Sequence, residues 1–192
     1  MRRASVLPMK IGGWLWASLF LFAASLCLSS QARAASAAEI GRDARAALER
    51  LYEKEPRTRK LGEKAVAVLV FPGILKGGLL VGAEHGDGAL IRGGKVHAFY
   101  TITAVSFGLQ AGAQQFGYAL FFMNEQSLKY LDQSDGWSLG SGPSLVVVDQ
   151  GYAASVSTTT LTQDVYAVPF GEQGLMAGVG LEGSKISRAH PN

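Results

Sequence analysis

At 192 residues the chain is long enough for one domain with a sizeable core and too short for two comfortable ones. Its 18 Lys and Arg against 15 Asp and Glu give a formal charge of +3, yet four of the basic residues and no acidic one fall within residues 1–34, leaving 14 against 15. A broad basic face is thereby excluded from the remainder, and with it nucleic acid as the main partner.

In chain order, Arg2, Arg3 and Lys10 precede an apolar stretch from Ile11 to about Ser30, and Ala32-Arg33-Ala34 follows. This pattern predicts a signal peptide over residues 1–34, cleaved after Ala34, and a periplasmic or envelope-associated product. An uncleaved membrane anchor is the alternative, because Ile11 to Leu28 is nearly long enough to span a bilayer. Cys27 is the only cysteine and lies inside the signal. The exported domain, residues 35–192, then has no disulfide, and its stability must come from its core.

From Ala37 to Lys54 the apolar positions Ile40, Ala44, Ala47, Leu48 and Leu51 recur at helical spacing, so an amphipathic helix is expected. Its polar side interleaves Arg42, Arg45, Arg50 and Lys54 with Glu39, Asp43, Glu49 and Glu53, which suits a solvated outer face. Glu55-Pro56 ends that helix or starts a second. Arg57, Arg59, Lys60 and Lys64 follow close together against Glu55 and Glu63, the one locally basic patch of the exported part.

Ala65–Phe71 is an unbroken apolar run, read as a strand covered on both faces and ended by Pro72-Gly73. Gly78–Ala83 reads as a second strand that runs into a glycine-rich turn at Glu84-His85-Gly86-Asp87-Gly88. Ala89–Arg92 and a long strand from Val96 to Ala113 are joined by Gly93-Gly94. Small residues gather on one parity of that long run, which suits a curved sheet or a barrel. Further strands are expected at Gly117–Met123, Ser144–Asp149, Ala153–Thr158, Asp164–Pro169, Leu175–Gly180 and near Ile186, with a short helix capped by Asn124. The expected fold is α+β and mainly antiparallel: N-terminal amphipathic helices (residues 35–64) packed on a glycine-rich, barrel-like curved sheet of about nine strands (residues 65–192).

The enzymatic signatures fail on context. Gly178-Val-Gly180-Leu-Glu-Gly183 has dinucleotide-fingerprint spacing, but only nine residues follow, too few for the required βαβ unit. Around Gly94-Lys95 the phosphate-loop pattern breaks at Ala89 and at Val96. A Gly-x-Ser-x-Gly serine nucleophile is not expected, and the exported part has no cysteine to serve as one. Glu84, His85 and Asp87 are the tightest possible metal grouping, with His97 and His190 elsewhere, and are read as a solvated hairpin tip. No catalytic residue, metal or cofactor is expected.

Two long motifs carry a resemblance. Lys64-Ala-Val-Ala-Val-Leu-Val-Phe-Pro-Gly-Ile-Leu-Lys-Gly-Gly78, with the apolar strand and Gly-x-Gly after it, resembles the signature of the SYLF domain family, and Gly174-Leu-Met-Ala-Gly-Val-Gly-Leu-Glu-Gly-Ser184 resembles its closing motif. The resemblance runs from about Ala37 to the C-terminus. It implies a lipid-binding domain of a family linked to actin regulation in yeast and animals, with affinity for lipid headgroups and a contribution from the N-terminal amphipathic helix. The actin link does not carry over to an exported protein.

Taken together, these features predict an exported, non-enzymatic module that meets phospholipid at an anionic membrane surface. The residues expected to act by charge are Arg42, Arg45, Arg50, Lys54, Arg57, Arg59, Lys60 and Lys64, with Lys76 in the first β-turn as an outlier. The alternative is a β-barrel carrier of an apolar ligand, or a structural envelope protein with a protein partner.

Overall fold

A computed structural model describes residues 35–78, 81–107, 112–133, 136–148, 161–174 and 183–192. The predicted signal peptide and the strands expected at 153–158 and 175–180 lie outside the described residues. Ala35–Asn192 is one compact unit and holds both hydrophobic cores within itself.

Helix α1 is Ala37–Lys54, α2 is Pro56–Lys64 and α3 is Glu125–Gln133. α1 starts where Ser36 and Glu39 form a capping box. The Glu39 amide donates to Ser36 Oγ (3.3 Å), and the Ser36 amide donates to Glu39 Oε2 (2.8 Å). Pro56 settles the ambiguity at the helix boundary: it sits in the first turn of α2, where its missing N–H costs nothing.

The eight described strands are β1 Ala67–Gly78, β2 Val81–Arg92, β3 Lys95–Phe107, β4 Gly112–Phe122, β5 Trp137–Ser138, β6 Leu145–Val147, β7 Val165–Gly174 and β8 Lys185–Ala189. They form one curled sheet in the order β5-β8-β3-β2-β1-β4-β7-β6, a half-barrel in which only the β6–β7 pair is parallel. β1 is central, and its run from Ala67 to Phe71 is buried throughout. Val68 and Val70 face a core shared with Ile40, Ala44, Leu48 and Leu51 of α1 and Leu61 of α2. Leu69 and Phe71 face the opposite core, with Tyr118, Leu120, Trp137 and Leu128 of α3. Helices therefore cover both sides of the middle strands, and valine-rich continuity is the sequence form of that double burial.

Three expected boundaries are corrected. Pro72-Gly73 does not end the first strand: the register shifts between Phe71 and Ile74, so the pair sits in a β-bulge, where a residue without an N–H is tolerated. Glu84–Gly88 is not a turn but the middle of β2, which pairs with β3 without a break from Val81 to Leu90. Gly86 and Gly88 act there by lacking a side chain. A Cβ on Gly88 would lie 2.5 Å from Phe71 Cδ1, and one on Gly86 would lie 2.9 Å from Ile74 Cγ1. The long run from Val96 is two strands, β3 ending at Phe107 and β4 starting at Gly112, with Gly78 and Gly112 paired in register. Gly93 and Gly94 do form the β2–β3 turn, with φ of 54° and 76°.

Candidate functional site

α1 turns its apolar stripe to the sheet, so its other side faces outward by the geometry of the helix. Arg42, Arg45, Arg50 and Lys54 are exposed there, as are Arg57, Arg59, Lys60 and Lys64 on α2. The structure thus brings eight of the nine sequence-predicted residues onto one helix pair. Glu55 separates the two helices, and Leu61 of α2 joins the core under α1.

Charge on this surface is partly engaged. Arg42 lies 3.2 Å from Asp43, and Arg59 lies 3.6 Å from Glu49. Arg59 also stacks over the Tyr52 ring, 4.8 Å from its centroid. Tyr52 is half-buried between the helices and Phe121. Burial, with the Glu49 carboxylate second, pushes its phenol up to about 12, so it stays neutral and serves as a wall. Arg45, Arg50, Lys54 and Lys60 make no ion pair among the described residues.

Lys76 stands apart. It lies on β1 beyond the bulge, on the sheet face opposite the helix pair, with its Nζ 2.7 Å from Glu84 Oε1. The two side chains are 12% and 4% exposed. Lys76 also lies opposite Gln114 of β4 in register. Glu84 Oε2 and Gln114 Oε1 are buried without a hydrogen-bond partner. Lys76 is expected among the surface cations because Pro72-Gly73 reads as a strand end, which puts the lysine in a turn; the bulge lets the strand continue instead and turns Lys76 inward.

The Glu84, His85, Asp87 grouping is pulled apart by strand alternation. Glu84 turns inward to Lys76, while Asp87 accepts from Thr101 Oγ1 (2.8 Å) on the other face. No group of three metal-ligating side chains occurs among the described residues. The expected absence of a Gly-x-Ser-x-Gly spacing is corrected: Gly136-Trp137-Ser138-Leu139-Gly140 matches it. Its setting differs from a nucleophile elbow, which needs a strand-to-helix turn. Trp137–Ser138 is a two-residue edge strand followed by a turn that Ser141 closes by donating its amide and hydroxyl to the Ser138 carbonyl.

Other charged side chains tie elements together. Asp132 accepts from Tyr100 Oη and from Arg188 (3.0 Å), which joins α3 to β3 and β8. Burial first, and then the bond to Asp132, raise the Tyr100 phenol above its ordinary value. Arg92 is held by both oxygens of Glu125. Asp164 accepts from the Ser144 amide (2.9 Å), the Asn124 amide nitrogen (2.7 Å) and Ser144 Oγ (2.8 Å), which keeps its carboxyl below the usual carboxylate range.

Two amphipathic helices whose outer surface carries eight exposed Lys and Arg against five exposed Asp and Glu, laid on one face of a curled, glycine-rich and mainly antiparallel sheet, define the class: an α+β half-barrel with an N-terminal helical cover. Residues 103–191 match the family model Ysc84, described as "Las17-binding protein actin regulator". This is the SYLF family that the two motifs resemble, and the match covers the segment from within β3 through β8. No curated protein matches the chain.

Proposed function

We propose that this protein is an exported, non-enzymatic module that attaches to anionic lipid surfaces through the outer face of α1 and α2. The observation that carries the reading is the placement of eight Lys and Arg side chains, all exposed, on one helix pair whose apolar stripe is already spent on the core. Such a surface attracts headgroups by charge without needing to insert. Export is supported by the basic, apolar and Ala-x-Ala order of residues 1–34. The family's printed description concerns binding of a protein partner, and a partner in the envelope would take the place of a cytoskeletal one.

The test is sedimentation of residues 35–192 with phosphatidylcholine vesicles and with vesicles containing phosphatidylglycerol, at low and high salt. Binding to the anionic vesicles alone, lost as salt rises, is expected. Each basic group near an anionic surface contributes about 1 kcal/mol, so Arg57→Ala, Arg59→Ala and Lys60→Ala together should weaken binding at least about tenfold, after allowance for the pairing of Arg59 with Glu49. Absence of binding to anionic vesicles at low salt sinks the proposal.

A further inference from the structure

At the foot of the helix pair lies a groove that the surface-attachment reading leaves unused. It is bounded by α1, by the junction where α2 passes through Ala65 into β1, and by the β2–β3 turn, and it encloses about 440 Å³. That volume falls within the range of small-molecule sites. Its floor is apolar, made by Leu48, Val66, Val68 and Ile91. Tyr52 closes one side, neutral for the reasons given above. Gly93 and Gly94 line the opposite edge, and a Cβ built on either meets nothing within 4 Å, so this edge is open.

The charges on the lining decide what fits. Arg45, Arg92 and Glu49 are its ionised side chains. Arg92 is already matched by Glu125, and Glu49 by Arg59. Arg45 has no ion pair among the described residues, so one guanidinium is left unmatched beside an apolar floor. A guanidinium suits a phosphate or a carboxylate, to which it donates two parallel hydrogen bonds.

We infer that this groove binds a single anionic amphiphile, with its one negative group on Arg45 and the adjoining apolar part on Leu48, Val66, Val68 and Ile91. The inference gives the proposed function its ligand class and rests on it, and of the eight helix cations it uses Arg45 alone. Attachment through Arg57, Arg59 and Lys60 needs a surface carrying many charges. The groove needs one molecule and no bilayer. Part of its affinity comes from apolar burial, so salt weakens it less.

The experiment uses residues 35–192 labelled with nitrogen-15 and titrated with dihexanoyl phosphatidylglycerol below its micelle concentration, with dihexanoyl phosphatidylcholine as the neutral counterpart. Saturable shifts of the Gly93 and Gly94 amides with the anionic lipid are expected. At least tenfold weaker binding is expected for Arg45→Ala, whose side chain is exposed and whose removal leaves the core intact. The Arg57→Ala, Lys60→Ala variant, which leaves the Arg59–Glu49 pair in place, should keep this binding while weakening attachment to the vesicles. Unshifted glycine amides, equal response to the two lipids, or an Arg45→Ala variant that binds as before would each overturn the inference. Vesicle binding that persists in those cases would leave the surface reading standing alone. Groove binding without vesicle binding would retire the surface reading and keep the site.

Discussion

The ion pair between Lys76 and Glu84 offers the sharpest test of how this sheet is held together. Glu84 is the more buried partner, and one of its oxygens already lacks a hydrogen bond. Replacing Lys76 with Met therefore strands a whole carboxylate inside the half-barrel. Breaking a buried pair from one side costs about 3–5 kcal/mol, and the lower end applies because the lysine end reaches 12% exposure. At about 3 kcal/mol, a domain of this size should lose about 6–12 °C in Tm. Glu84→Leu should cost less, about 1–2 kcal/mol, since the flexible lysine stem can carry its ammonium toward water. The double variant should return to within about 1 kcal/mol of the parent, because desolvation of both charges is then relieved. Urea unfolding followed by Trp137 fluorescence, with slopes compared to check two-state behaviour, measures all four corners of the cycle. If Lys76→Met costs under about 1 kcal/mol, or if the double variant costs the sum of the singles, the pair is not the buried unit described.

Asp164 sets a pH dependence whose sign can be worked out. The Ser144 amide, the Asn124 side chain and Ser144 Oγ hold the folded carboxyl below its unfolded value, so its contribution is complete above about pH 4 and is lost as pH falls through the folded value. Asp164→Asn should cost about 1 kcal/mol at pH 7, little because the site is partly exposed, and clearly less near pH 2.5. An equal loss at both values, by urea unfolding, would contradict this. Gly88→Ala should destabilise by about 2 kcal/mol or more, because the new methyl meets Phe71 at 2.5 Å and the Val70 carbonyl oxygen at 2.7 Å. A thermal scan matching the parent would show that the strand yields more easily than its burial implies.

Much of this arrangement is legible in the sequence, for identifiable reasons. The stripe Ile40, Ala44, Leu48, Leu51 writes α1 at its own period, and the valine run of β1 writes burial on two faces. The cationic set on the helices follows from the same periodicity, since a side chain off the apolar stripe has only solvent to face. The β1–β2 hairpin was misread because glycine has two meanings. At Gly93 it supplies positive φ, whereas at Gly88 it yields space to Phe71, and composition alone does not tell them apart. The bulge at Pro72 then moved Lys76 from an imagined turn into the interior. Arg92 has no local signal of its place in the groove with Arg45, which depends on how α1 crosses the end of β2.

The two ends of the sheet bear on behaviour in crowds. An open half-barrel leaves two strand margins, and a long margin with free amides and carbonyls invites a neighbouring molecule to extend the ladder. Among the described residues the margins are β5, two residues long, and β6, three residues long. Neither offers enough consecutive backbone groups to template a partner. A protein gathered onto a membrane meets its own copies at far higher frequency than in solution. Under the surface attachment proposed above, margins this short would add little shared ladder between neighbouring copies.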